Sequence, residues 1–157
     1  MLDFQMMAAR GRVDDISALL HQLSLVEGEI VVLKARCIMG PEHIRSAVYH
    51  AIRSFDRAEN FARTIGVETL LYLSGERQIS RALRKMGLEP GDEEIAIISF
   101  GADGDAFISS LGWTRDDSLL LLDKGKEQFL LETMEGIKNI RPLDHILEKV
   151  ALLDINK

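Results

Sequence analysis

The sequence predicts a small α/β fold: one domain over residues 1–157 in which an antiparallel or mixed few-stranded sheet is packed by helices. Three observations point there. Residues 29–39 (EIVVLKARCIM) and 95–100 (IAIISF) are apolar runs of strand length, rich in β-branched residues. Across residues 41–57, Ile44, Ala47, Val48, Ala51, Ile52 and Phe55 recur every three or four positions, the period of a helix with one buried face. Strand-like and helix-like stretches do not alternate regularly, which disfavours a doubly wound parallel sheet.

Taken in order, residues 2–9 form a short apolar run suited to an opening strand. Asp14 and Asp15 favour a helix start, since carboxylates complement exposed amides there; Ile16, Leu19, Leu20 and Leu23 give that helix an inward face, and Gly28 breaks it. In the strand at 29–39, Lys34 and Arg36 alternate outward as on an exposed face. Gly40-Pro41 opens the long helix, proline being tolerated at the first helical position; its outer face carries Arg45, Tyr49, Arg53 and Arg57. Residues 88–92 read as a turn, and 103–111 as a small helix with Phe107, Ile108 and Leu111 inward. Residues 119–122 are too short to assign. A helix over 124–134 turns Phe129, Leu130 and Met134 to one side and ends at Gly136, and Pro142 starts a last helix with Ile146, Leu147, Val150 and Ala151 inward.

Composition excludes several classes. With 46% hydrophobic and 28% charged residues the chain is ordinary for a globular protein. One cysteine, Cys37, rules out an intramolecular disulfide, and its apolar surroundings suit a buried, inert thiol. The N-terminal residues lack the basic region and apolar core of a signal peptide, and no run approaches the ~18 apolar residues of a membrane span, so a cytoplasmic location is expected. His21, His43, His50 and His145 share no zinc-type spacing, and His43 and His50 read as surface residues. Residues 102–105 (ADGD) resemble a fragment of a calcium loop without its remaining ligands, and Ser74 has no base beside it. With no phosphate-binding loop, nucleophile–base pair or metal cluster, neither catalysis nor a cofactor is expected.

Residues 57–87 say most about function. They read as two helices: an almost wholly apolar one over 66–73, buried on most sides, and a second from Glu76 to Gly87, where glycine takes a left-handed conformation. At about 100° per residue, Arg77, Arg81, Arg84 and Lys85 share an arc of roughly 100°, with Ile79, Ala82, Leu83 and Met86 opposite. Residues 51–90 carry seven Lys/Arg against five Asp/Glu, whereas 91–157 carry seven against fourteen and the chain as a whole is −6. A basic stripe confined to one region of an acidic protein suggests a local polyanion site.

The run Arg63-Thr64-x-x-x-Glu68, Ser74-Gly75-x-Arg77-Gln78-Ile79-Ser80-x-Ala82-Leu83, closing on Gly87, resembles the accessory-subunit family of the KEOPS complex, with its eukaryotic PRPK-binding members and archaeal relatives; the Gly-x-Arg-Gln-Ile form is similar to the archaeal branch. The resemblance covers 57–87 closely and the order of elements from about residue 31 onward. It implies an antiparallel or mixed sheet and a noncatalytic subunit of a complex that makes threonylcarbamoyladenosine beside the anticodon of ANN-decoding tRNAs. It further implies two partners: tRNA, held by its single-stranded 3′ CCA end, and a small atypical kinase subunit, through which the threonylcarbamoyl transferase is reached. The residues expected at the tRNA site are Arg63, Gly75, Arg77, Gln78, Ile79, Arg81, Arg84 and Lys85, centred on 75–79. Arg77, in the first turn of its helix, is the principal charge, Gly75 admits close backbone approach and Gln78 meets a base edge. Tyr72 and Trp113 are the stacking candidates outside the buried phenylalanines. The kinase is expected away from this face, on the helices at 41–57 or 142–153. A structural adaptor whose basic helix satisfies an acidic protein partner is the alternative, and a small-molecule enzyme would require an apolar pocket with convergent polar groups.

Overall fold

The central strand is the least compromised stretch of the chain. In a computed structural model, which describes residues 3–133, β3 (Glu94–Phe100) is buried from Ile95 onward. It lies between β1 (Phe4–Arg10) and β2 (Glu29–Lys34), and β4 (Thr114–Arg115) pairs with the far side of β1. Every pairing is antiparallel, in the order β2-β3-β1-β4, with Met7 opposite Ile97 and Val32 opposite the same residue on the other side.

Alternate side chains of a strand point to opposite faces, so β3 serves two cores. Ala96, Ile98 and Phe100 join Ala8 and Leu33 against α2 (Pro41–Asp56), α3 (Ile65–Ser74) and α4 (Ile79–Met86). Ile95 and Ile97 join Met7, Ala9 and Ile30 against α1 (Ile16–Ser24) and α5 (Gly104–Ser110). A sixth helix, α6 (Lys124–Thr133), follows a 3-10 turn at Asp117–Leu120.

Local chemistry explains the boundaries. Asp15 caps α1 by accepting from the Ala18 amide, Asp103 caps α5 by accepting from Ala106, and Pro41 opens α2. Asp103 is therefore a helix cap and Asp105 pairs with Arg115, which accounts for the calcium-like residues. The strand expected over 29–39 stops at Lys34 and gives way to a 3-10 turn at Ala35–Cys37. Lys34 does not point outward as expected: it is 4% exposed, its Nζ lying 3.0 Å from Asp92 and 3.5 Å from Glu89. The turn that closes over the strand end buries the lysine and supplies both carboxylates. In α1, Leu19 is buried as expected but Leu20 is 60% exposed. The inward positions expected at Phe129, Leu130 and Met134, the stop at Gly136 and the helix from Pro142 lie outside the described residues and side chains.

In the helical layer, α2 and α3 pack antiparallel. His43, near the start of α2, bonds to Leu73 near the end of α3, and Ser54, near the end of α2, bonds to Glu68 near the start of α3. Gly66 lets α3 approach the sheet closely: its amide donates to Glu29, and a Cβ there would fall 2.5 Å from the Glu29 carboxyl and 2.6 Å from Val31.

Candidate nucleic-acid interface

Gly75 belongs to the exit of α3. It takes a left-handed conformation (φ 70°, ψ 18°), its amide donating to Tyr72 and that of Glu76 to Leu71, a paired closure of the last α3 carbonyls. The second helix starts later than expected, at Ile79 with Gln78 at its cap. Arg77 is thus in the connecting turn, outside the first helical turn. Gln78 makes no capping hydrogen bond, so its side chain does not close the start of α4. Gly87 ends α4 in an extended conformation (φ −68°), contrary to the left-handed one expected; glycine is needed because a Cβ would lie 2.4 Å from the Leu83 carbonyl oxygen.

On α4, Ala82 and Met86 are buried while Ile79 is 45% and Leu83 50% exposed. The apolar side, which the sequence directs to the core, docks through one edge, with Ile79 only partly covered. Counting 100° per residue, Arg84 falls opposite the midpoint of Ala82 and Met86, and Arg81 lies beside it, both exposed. Arg77 and Gln78 are exposed in the turn that leads in. The arrangement offers guanidinium donors for phosphate oxygens next to a half-exposed apolar shoulder for a base or an apolar side chain.

Two expected site residues stand apart. Arg63 is exposed in the loop before α3, and the ten residues of α3, about 15 Å of helix, separate it from Gly75. Lys85 turns inward along the surface: its Nζ donates to the Ser74 carbonyl oxygen at 2.9 Å and lies 3.7 Å from Glu76. The aromatic candidates also change. Tyr72 is fully buried and stacks on His50, and Trp113 packs edge-on against Phe107 on the other side of the sheet. Tyr49, with Arg53 placed 5.5 Å above its ring, and Phe61 are the half-exposed rings on the α2–α3 side.

Two residues that hold this region were not legible as such. His43, expected at the surface, is fully buried; its Nδ1 accepts from the Met39 amide at 3.0 Å and its Nε2 lies 2.9 Å from the Leu73 carbonyl oxygen. Burial lowers its pKa to about 4. Glu68 is also fully buried, accepting from the Ser54 hydroxyl at 2.6 Å and from the Phe61 and Ala62 amides at 3.0 Å each. A lone carboxylate inside an otherwise apolar helix was the available signal. Cys37 is the buried thiol expected, pushed up in pKa by burial, its Sγ 3.6 Å from the Lys85 carbonyl oxygen. Among the described residues no helix is long and apolar enough to cross a membrane, and no three potential ligands gather as a metal site would require.

Comparison with known proteins bears on the same stretch. The sequence profile of the family described as kinase binding protein CGI-121 matches residues 12–154. The chain is 28% identical over 131 residues to the regulatory protein Cgi121 of Methanocaldococcus jannaschii, covering 80% of this chain and 83% of that protein. It is 35% identical over 95 residues to the KEOPS complex subunit Cgi121 of Pyrococcus abyssi, covering 57% of this chain and 53% of that one. The match begins after β1 and takes in the rest of the sheet and the whole α3–α4 region, and the chain belongs to the CGI-121 kinase-binding protein family, the KEOPS accessory-subunit family that its Gly75–Ile79 motif resembles.

Proposed function

We propose that this protein is a noncatalytic, cytoplasmic subunit of the KEOPS threonylcarbamoyladenosine-forming complex, which docks on the small atypical kinase and holds the 3′ CCA end of tRNA at the turn between α3 and α4. The observation that carries the tRNA reading is the exposure of Arg77, Gln78, Arg81 and Arg84 beside half-exposed Ile79 and Leu83 on a chain of net charge −6. Arginine suits this task, because its planar guanidinium both bridges phosphate oxygens and stacks on bases. Ile79 supports a splayed base from below. The family's description and the name of the Pyrococcus relative support the kinase and the complex as the setting. Through the kinase the subunit reaches the transferase, which performs the chemistry.

The same Ile79 and Leu83 also suit a protein partner, which favours the adaptor as the second reading. An electrophoretic shift separates the two. Intact tRNA should be retarded, and tRNA trimmed of its CCA should bind at least tenfold more weakly. An adaptor would retard neither and would still capture the kinase.

A further inference from the structure

The turn that carries Gly75 is held from beneath by two side chains, and each ends on a carbonyl oxygen of α3's last turn. His43 reaches Leu73 from α2, and Lys85 reaches Ser74 from α4. The tautomer of His43 follows from its other contact: Nδ1 accepts from the Met39 amide, so Nε2 carries the proton and donates to Leu73. These carbonyls lie at the negative end of α3, where donors are needed and where nothing buried is easily rehydrated. Ser74 adds to the closure, its hydroxyl donating to Leu71 and accepting from the Glu76 amide. Cys37 and the Lys85 backbone tie the far end of α4 to the turn after β2.

We infer that His43 and Lys85 are positioning residues of the RNA surface, which set the orientation of residues 75–78 and act on RNA only through that turn. This rests on the tRNA reading above. It reassigns Lys85, whose place in the basic stripe suggested a phosphate contact. Nothing in the sequence spacing marks His43, because the carbonyl it serves is thirty residues away.

Salt dependence distinguishes a contact from a brace. A side chain that touches phosphate contributes close to one unit to the slope of log affinity against log salt, because a counterion is released with it. A brace changes affinity and leaves that slope alone. The test uses the full chain and a CCA-ended acceptor-stem RNA, with His43→Leu, His43→Gln, Lys85→Met and, as a stability-matched control on the opposite core, Ile108→Ala. His43→Leu and Lys85→Met should each weaken binding about tenfold at an unchanged slope. The Gly75 and Glu76 amides should exchange at least tenfold faster in both. His43→Gln retains an amide donor for Leu73 and should recover much of the loss; the control should retain both affinity and exchange protection. A slope flattened by about one unit in Lys85→Met, or a loss in His43→Leu and His43→Gln no greater than in the control, overturns the inference. Failure of the unmodified protein to bind the RNA overturns the tRNA reading, and this inference with it.

Discussion

Glu68 shows how one buried residue fixes a whole connection. Its carboxyl group accepts from Ser54 and from the amides of Phe61 and Ala62, so the loop that leads into α3 is tied to the end of α2. Glu68→Ala leaves buried donors without partners, each at a cost of roughly 1–3 kcal/mol, and should destabilise the protein by about 3 kcal/mol. The urea midpoint at constant m-value measures this; a loss below ~1 kcal/mol would show that the loop re-forms without it. His43 makes a different prediction. Its folded pKa, about 4, lies below its ordinary 6.5 because burial disfavours the charged ring. Between those values the unfolded chain binds more protons than the folded one, so stability is fully present above pH 6.5 and declines as the pH falls towards 4. The expected contribution is about 3 kcal/mol over the window. Urea denaturation of wild type and His43→Gln across pH 4–7 should show the variant losing this component of the slope. Parallel curves would place the histidine in contact with water.

At the scale of elements, the sequence was most informative where one side of an element had one environment. The i, i+3/i+4 run of α2 and the continuous apolar run of β3 both correspond to observed elements, because a helix face and a central strand each impose a simple period. Lys34 broke the alternation rule because a distant turn brought two carboxylates over the strand end. α4 starts three residues later than the sequence suggests, because Gly75 closes the preceding helix and Gln78, not a strong capping residue, leaves the start unmarked. Exposure of Ile79 and Leu83 was hidden for a related reason: periodicity tells which residues share a side, and tertiary packing decides how much of that side is covered. Gly75→Ala tests the turn itself. A Cβ in the left-handed conformation should cost about 1 kcal/mol, and the distorted turn should weaken CCA binding several-fold. Unchanged affinity would mean that the turn's conformation is not read by RNA.

At the scale of the molecule, a basic turn and helix are followed by residues 91–133, which carry three Lys/Arg against ten Asp/Glu, a net of −7. Such a distribution directs a polyanion to one face and discourages binding elsewhere. Holding both tRNA and the kinase, as proposed, requires two surfaces. Kinase contact is expected on α2 or on the stretch from residue 142, so hydrogen exchange on adding the kinase should slow there while residues 77–84 remain unchanged. Protection confined to residues 74–87 would contradict separate surfaces.

Arg77 is the residue on which tRNA anchoring depends most in this reading, since it is exposed in the turn that both the charge pattern and the motif single out. The decisive measurement is the affinity of Arg77→Glu for intact tRNA across a salt series, alongside its melting temperature and kinase capture. If the turn anchors phosphate, affinity should fall at least tenfold and the log–log salt slope should flatten by about one unit or more, with kinase capture and melting temperature near wild type. Wild-type affinity and slope in a folded Arg77→Glu protein would contradict the account.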